Sequence, residues 1–139
     1  MPEKDHSGTP LPKKLGIKEG GRVVLIGAPE GFTDLLVPWP AEAVIFPRAR
    51  KPLDVAVLFA TRRSDLARRF PPLVRALDRA GGLWVGWPKK TSGIVTDLTF
   101  EEVQGLGLAA GLVDNKSAAL DADWQGVRFV FRLEDRPTR

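Results

Sequence analysis

The sequence contains no cysteine and only one histidine, His6. The absence of cysteine excludes disulfide bonds, thiolate metal ligands and a cysteine nucleophile. His6 lies in a segment without periodicity, which argues against a metal or catalytic site built on histidine. We therefore predict no metal ion and no cofactor, and the sequence identifies no catalytic residue.

Long hydrophobic runs are also lacking. A membrane-spanning helix needs about 20 consecutive apolar residues, and no stretch of this sequence approaches that length. No signal-peptide pattern precedes the first predicted strand. These two observations predict a cytoplasmic protein without a membrane partner.

The length of 139 residues is typical of one domain. We predict a flexible tail over residues 1–12 and a single Rossmann-like domain over residues 13–135. The net charge of +4 and the pI near 9.8 are compatible with anionic partners. The alternative is that a net positive charge of this magnitude serves solubility alone.

The stretch from Asp54 to Lys90 organises the predicted fold. Val55–Phe59 is a short unbroken apolar run, which indicates a strand covered on both faces. Leu83–Trp87 is a second such run, and Pro88 ends it. Two buried strands joined by a helix predict a parallel pair.

The helix between these strands has apolar residues at helical spacing. Ser64 is the predicted N-cap, and Gly81-Gly82 is the predicted stop. Pro71-Pro72 interrupts the pattern, so we expect either a kink or two short helices, the second opened by Pro71. Three arginines are expected on one solvated face of this helix, with an ion pair from Asp65 to the first of them: Arg68, Arg75 and Arg79.

Flanking segments supply the remaining elements. Thr99 and Glu102 form a capping box that opens a helix ended by Gly111, with Gly107 as a candidate break. A short helix is predicted over Phe32–Leu36, and Lys13–Ile17 is a candidate helical turn. The further predicted strands are Arg22–Ile26, Ala43–Phe46, Leu112–Leu120 and Gly126–Leu133, the last two pairing as an antiparallel hairpin around the loop Asp121–Gln125. The predicted fold class is an α/β protein with an open, mostly parallel Rossmann-like sheet, helices on both faces and an antiparallel C-terminal hairpin.

Several motifs in Asp54–Leu133 resemble the C-terminal half of class I methyltransferase folds. They are an aspartate opening an apolar strand, a helix followed by A-G-G, the strand L-W-V-G-W-P-K, and a final W-Q-G hairpin. The resemblance implies a truncated methyltransferase-like sheet. It is a likeness of fold and carries no catalytic motif.

Nearly the whole chain is also similar to a bacterial domain-of-unknown-function family of small Rossmann-like proteins. The matching motifs are T-P-L-P-K-K-L-G-I-K from Thr9, A-P-E-G-F from Ala28, W-P-K-K-T-S-G from Trp87 and G-L-V-D-N-K from Gly111. This resemblance implies no particular activity.

Three positions depart from the methyltransferase pattern where such enzymes contact S-adenosylmethionine. In the first loop, Pro29 stands in place of the middle glycine of G-x-G-x-G, which fixes φ and removes an N–H donor. The second strand ends at Pro47-Arg48, where a carboxylate is expected for the ribose. The strand Val55–Phe59 leads to Thr61-Arg62-Arg63, where such enzymes have an acidic or N/D-P-P loop. These departures argue against cofactor binding in the usual pose.

The carboxyl ends of parallel strands meet at one edge of the sheet, where ligands bind in open α/β folds. Most of the loops expected at this edge are basic, which predicts an anion or nucleotide site there. The alternative is a rim of solvated charges without a ligand. The candidate residues are Gly27, Glu30, Gly31, Arg48, Arg62, Arg63, Lys89 and Lys90.

Asp114 and Lys116 lie two residues apart on a predicted strand, so we expect their side chains on one face. Together with Lys89 or Lys90 they are candidates for a polar cluster, and a structural ion pair is the alternative. Trp84 and Trp87 are expected in the core, on opposite faces of their strand. Trp39 and Trp124, which is expected in the hairpin loop, are candidate surface residues.

We expect a non-catalytic binding or regulatory module with an anion or nucleotide site. Two alternatives stay open: an enzyme acting on a phosphate-bearing or other anionic substrate, with Lys89, Lys90 and Asp114 at its centre, and a divergent S-adenosylmethionine-dependent methyltransferase. The expected partner is an anionic small molecule or nucleotide. A nucleic acid or a protein partner is compatible with the charge and has no motif in its support.

Overall fold

The computed structural model describes residues 8–136. Short 3₁₀ turns lie at Phe32–Leu35, Lys90–Ser92 and Leu133–Asp135. The helices are α1 (Leu11–Leu15), α2 (Arg63–Ala76) and α3 (Phe100–Ala109), and the strands are β1 (Arg22–Ile26), β2 (Val44–Phe46), β3 (Leu53–Phe59), β4 (Leu77–Pro88), β5 (Leu112–Ala119) and β6 (Trp124–Phe131).

The strands form one six-stranded sheet in the order β2-β1-β3-β4-β6-β5. The first four strands in this order, β2, β1, β3 and β4, are parallel to one another. Strand β6 is antiparallel to both β4 and β5, so the terminal hairpin extends the sheet from the edge of β4. The predicted fold class, a mostly parallel sheet with an antiparallel C-terminal hairpin, is confirmed.

Two hydrophobic cores cover the two faces of the sheet. Helices α2 and α3 pack on one face through buried residues that include Phe70 and Val103. The other face is covered by α1 and the first 3₁₀ turn, through Leu15 and Phe32. The indole N–H of the fully buried Trp84 donates to the carbonyl oxygen of Leu15 at 3.0 Å, which ties α1 to the centre of the sheet.

The first helix begins inside the segment that was predicted to be a flexible tail, residues 1–12. Residues 1–7, including His6, lie outside the described residues. Helix α1 begins at Leu11, before the candidate turn at Lys13, and Pro12 is already buried. No helix among residues 8–136 is long and apolar enough to cross a membrane, and the cellular compartment stays a prediction.

Helix α2 differs from its prediction at both ends, and of the two alternatives for its middle the pair of short helices is wrong. Its N-cap is Arg62, so Ser64 lies inside the first turn. Pro71 and Pro72 are both contained in one continuous helix, and no second helix begins at Pro71. The helix ends at Ala76, five residues before Gly81, and Arg79 is therefore on β4 and not on the helix face. The predicted pair of Arg68 with Asp65 is confirmed at 2.9 Å.

Gly81 and Gly82 lie inside β4 and do not stop a helix. A Cβ atom on Gly81 would lie 2.9 Å from the carbonyl oxygens of Leu53 and Asp54 on β3. A Cβ on Gly82 would overlap the guanidinium group of Arg128. These glycines are required because neighbouring groups approach the strand closely, a reason that no local pattern reveals.

Helix α3 begins as predicted and continues further. The hydroxyl of Thr99 accepts the N–H of Glu102 at 3.2 Å, which confirms half of the capping box. Gly107 lies inside the helix and does not break it. Its missing side chain leaves the space in which the ring of Phe129 packs. Gly111 follows the helix with φ of 89°, the left-handed conformation of a helix end.

Candidate functional site

The loop after β1 lies close to the end of β3. Gly27 has φ of 73°, and a Cβ there would lie 2.8 Å from the carbonyl oxygen of Phe59. Gly31 also has a positive φ, of 83°. Ala28 packs against the core of the α1 face, and Phe32 is almost fully buried in it. Glycine is therefore needed at Gly27 for both conformation and space.

Three aromatic rings follow one another across the carboxyl ends of the strands on this face. Phe32 contacts Phe59 edge-on with ring centroids 4.9 Å apart, and Phe59 contacts Trp124 edge-on at 5.4 Å. Trp124 begins β6 and is only 8% exposed, so its prediction as a surface residue of the hairpin loop is wrong. Trp84 and Trp87 are buried in opposite cores, as predicted.

A groove opens at the same edge, beyond the end of β4. It consists of two depressions of about 440 and 600 Å³, which share Trp87, Lys89, Phe100 and Gln125. We call this surface the β4 groove. Its other lining residues are Pro88, Lys90, Thr91, Ile94, Thr96, Leu98, Thr99, Glu101, Ser117, Ala118, Ala119, Gly126 and Val127.

Backbone contacts with the hairpin fix one wall of the β4 groove. The N–H of Lys89 donates to the carbonyl oxygen of Asp123 at 2.8 Å. The side-chain amide of Gln125 donates to the carbonyl oxygen of Pro88 at 3.1 Å. Lys89 is half-buried and Lys90 is exposed. Hydrogen bonds to the hairpin therefore fix the backbone at Pro88 and Lys89, from which the lysine side chain extends.

The segment after Lys90 is fixed to the end of β3. The hydroxyl of Thr96 donates to the carbonyl oxygen of Thr61 at 2.6 Å and accepts the N–H of Leu98 at 3.1 Å. The N–H of Asp97 reaches the same carbonyl oxygen at 3.3 Å. These contacts hold the second wall of the groove against the loop that follows β3.

Carboxylates approach one of the predicted cations. The N–H of Arg63 donates to Oδ1 of Asp97 at 2.7 Å, and its guanidinium group lies 3.2 Å from the carboxylate of Glu102. The other carboxylate oxygen of Glu102 is buried without a hydrogen-bond partner among the described residues. Arg63 is thus engaged within the fold, and no salt bridge of the described residues includes Lys89 or Lys90.

The predicted site residues divide into three groups. Lys89 and Lys90 line the β4 groove. A second group follows β1, β2 and β3 at the same edge of the sheet, outside the lining of the groove: Gly27, Glu30, Gly31, Arg48, Arg62 and, at the first residue of α2, Arg63. The third group is Asp114 and Lys116 on β5.

Asp114 and Lys116 do not share a face. A β-bulge between them pairs Asp114 with Phe129 and Lys116 with Arg128, so one extra residue reverses the alternation. Asp114 accepts a hydrogen bond from Gln104 on α3 at 3.2 Å. Lys116 donates to the carbonyl oxygen of Lys14 on α1 at 3.4 Å. The predicted polar cluster with Lys89 and the predicted ion pair are therefore both wrong.

Sequence reasoning missed most of the uncharged lining of the groove. Gln125 reaches it because β6 runs antiparallel to β4 and begins at the edge where β4 ends, opposite Trp87. Phe100 reaches it because the segment from Lys90 to Thr99 returns to this edge. The hairpin itself was predictable, but its position beside β4 gave no local signal.

Neither a protein-family model nor a curated protein matches the sequence. Solved structures do match its fold. Fibrillarin pre-rRNA processing protein of Methanococcus jannaschii is 13% identical with a TM-score of 0.61, covering 88% of this chain and 69% of that one. A SAM-dependent methyltransferase from Aquifex aeolicus is 14% identical with a TM-score of 0.60, covering 84% and 85%.

LepI in complex with SAM is 13% identical with a TM-score of 0.55 and covers 95% of this chain. The present chain spans only 49% of the length of LepI. At such identities these likenesses establish the fold alone, an α/β Rossmann-like sheet of the methyltransferase-like kind. The resemblance to a family of unknown function stays a prediction.

Proposed function

We propose that this chain is a binding module on a methyltransferase-like scaffold, and that a small anionic ligand occupies the β4 groove. One observation carries the proposal. Lys89 lies where the two depressions of the groove meet, and no salt bridge among residues 8–136 includes it. A cation without a carboxylate partner, beside a concave surface, favours an anion.

The lining of the groove indicates what else such a ligand contains. Trp87, Leu98 and Phe100 provide apolar surface, and the first two are almost fully buried. Thr91 and Thr99 line the same depression. Binding sites for small molecules combine apolar walls with a few polar groups that set orientation. We therefore propose a ligand with an apolar body and one anionic group.

A thermal-shift screen of anionic metabolites tests the proposal, with Lys89→Gln and the matched control Lys18→Gln. Lys18 is exposed and precedes β1, outside the lining of the groove. A true ligand raises the Tm of the wild type and of Lys18→Gln, because a ligand at a hundredfold excess over Kd stabilises by about 2.7 kcal/mol. It has little effect on Lys89→Gln. Equal responses of the two variants would contradict the proposal.

A divergent SAM-dependent methyltransferase is the second candidate. It is favoured by the sheet order and by the names of the structural neighbours. The residues of this chain do not fit the usual cofactor pose. Gly27 lies against β3, Pro29 stands in the same loop, and β2 is followed by Pro47 and Arg48 where a carboxylate is expected. Calorimetric titration with S-adenosylhomocysteine decides between the candidates. Saturable micromolar binding supports the second.

A further inference from the structure

Three arginines line a cavity at the opposite edge of the sheet, where β4 begins and β6 ends. The cavity has a volume of about 280 Å³. Its lining residues are Arg79, Ala80, Gly81, Asn115, Arg128, Val130 and Arg136. No carboxylate is among them, and none of the salt bridges of residues 8–136 includes any of the three arginines.

Two of the arginines are held by the same residue of β6. The guanidinium group of Arg79 lies over the ring of Phe131, 4.5 Å from its centroid. Nε of Arg136 donates to the carbonyl oxygen of Phe131 at 2.7 Å. These contacts orient both side chains without neutralising their charge.

Arg128 is half-buried and lines the cavity. It crosses β4 at Gly82, where the absence of a side chain leaves the space that its guanidinium group fills. Its Nε is buried and has no hydrogen-bond partner among the described residues. Burial, and then the nearby charge of Arg136, lower the pKa of Arg128. Arg128 is thus a half-buried cation without a carboxylate partner among the described residues, a situation that an anion in the cavity would relieve.

We propose that this cavity binds a phosphate group, either inorganic phosphate or a small phosphomonoester. Guanidinium groups donate paired hydrogen bonds in the geometry that phosphate oxygens accept. Asn115 lies at the bulge of β5 and contributes an uncharged donor. This site lies at the opposite edge of the sheet from the β4 groove, and the two proposals are independent.

Isothermal titration in phosphate-free buffer at low salt tests the site, with inorganic phosphate and glycerol 3-phosphate as probes. The test variant is Arg79→Gln/Arg136→Gln, since neither side chain is fully buried. We expect the wild type to bind at least one probe, and the double variant to bind it at least about tenfold more weakly. Arg128→Lys, which keeps the charge and loses the planar fork, should also weaken binding.

Arg75→Gln, an exposed arginine in the last turn of α2, is the matched control, and Lys89→Gln separates this cavity from the β4 groove. Both controls should bind as the wild type does. Tighter binding of glycerol 3-phosphate than of phosphate identifies a phosphomonoester site, and the reverse order identifies a phosphate site. No binding of either probe by the wild type, or equal loss in Lys89→Gln and the double variant, would overturn the proposal.

Discussion

Asp97 caps helix α2 from a loop more than thirty residues along the chain: its Oδ1 accepts the backbone N–H of Arg63 at 2.7 Å. The N-cap residue itself, Arg62, provides no side-chain acceptor for the free N–H groups of the first turn. An aspartate at a helix start also interacts favourably with the helix dipole. The capping group is therefore supplied by tertiary structure.

Asp97→Ala should lower the free energy of unfolding by about 1 kcal/mol, the usual effect of removing a helix cap. Ser64→Ala is the matched control, because Ser64 is the N-cap expected from the sequence and is exposed inside the first turn. Urea unfolding followed by circular dichroism measures both. A larger loss for Ser64→Ala than for Asp97→Ala would show that the cap is local.

Gly107→Ala should destabilise the protein by about 1–3 kcal/mol through overpacking. A Cβ on Gly107 would overlap the ring of Phe129, which is fully buried. Gly105 lies on the same helix, and no atom is within 4 Å of a Cβ there. Gly105→Ala should therefore stabilise by up to about 1 kcal/mol through helix propensity. Thermal unfolding of the two variants gives the comparison, and changes of the same sign would contradict it.

Thr96→Val should loosen the wall of the β4 groove. The substitution removes a hydroxyl that donates to Thr61 and accepts from Leu98, with an expected loss of about 1 kcal/mol. Amide hydrogen exchange should rise in residues 94–98 and stay unchanged in β1. Thr91→Val, at an exposed residue of the same connector, should leave exchange as in the wild type.

Asp54 should make stability depend on pH in the acid range. Its carboxylate accepts hydrogen bonds from Nε and Nη2 of Arg22, each at 2.9 Å, and from the backbone N–H of Arg22 at 2.8 Å. These hydrogen bonds from Arg22 lower the pKa of Asp54 below its value in the unfolded chain. The carboxylate therefore stabilises the fold above the unfolded pKa, and this contribution disappears as the pH falls through the folded pKa.

Asp54→Asn removes that contribution. The variant should be less stable than the wild type at pH 7, and the difference should shrink as the pH falls below about 4. Urea midpoints of both proteins between pH 2 and pH 7 measure this. A difference that is constant over the whole range would show that the ionised carboxylate is not the stabilising form.

Most elements of this fold follow from local patterns. The apolar runs at Arg22–Ile26 and Val55–Phe59 predicted buried strands, because strands covered on both faces must be apolar throughout. The capping box at Thr99 predicted the start of α3 to the residue. The glycine pair in β4 was misread as a helix stop, because close packing against β3 and Arg128 and not a helix end requires glycine there.

Parts of the candidate sites likewise followed from the sequence, and other parts depended on tertiary structure. By itself the sequence determined a mostly parallel α/β sheet and placed Lys89 and Lys90 at the carboxyl end of a central strand. Tertiary structure alone decided that β6 lies beside β4, that a bulge turns Asp114 and Lys116 to opposite faces, and that Arg79, Arg128 and Arg136 line one cavity. The reason is physical. Hydrophobic periodicity fixes which residues face a core, whereas strand neighbours and register depend on contacts between segments distant along the chain.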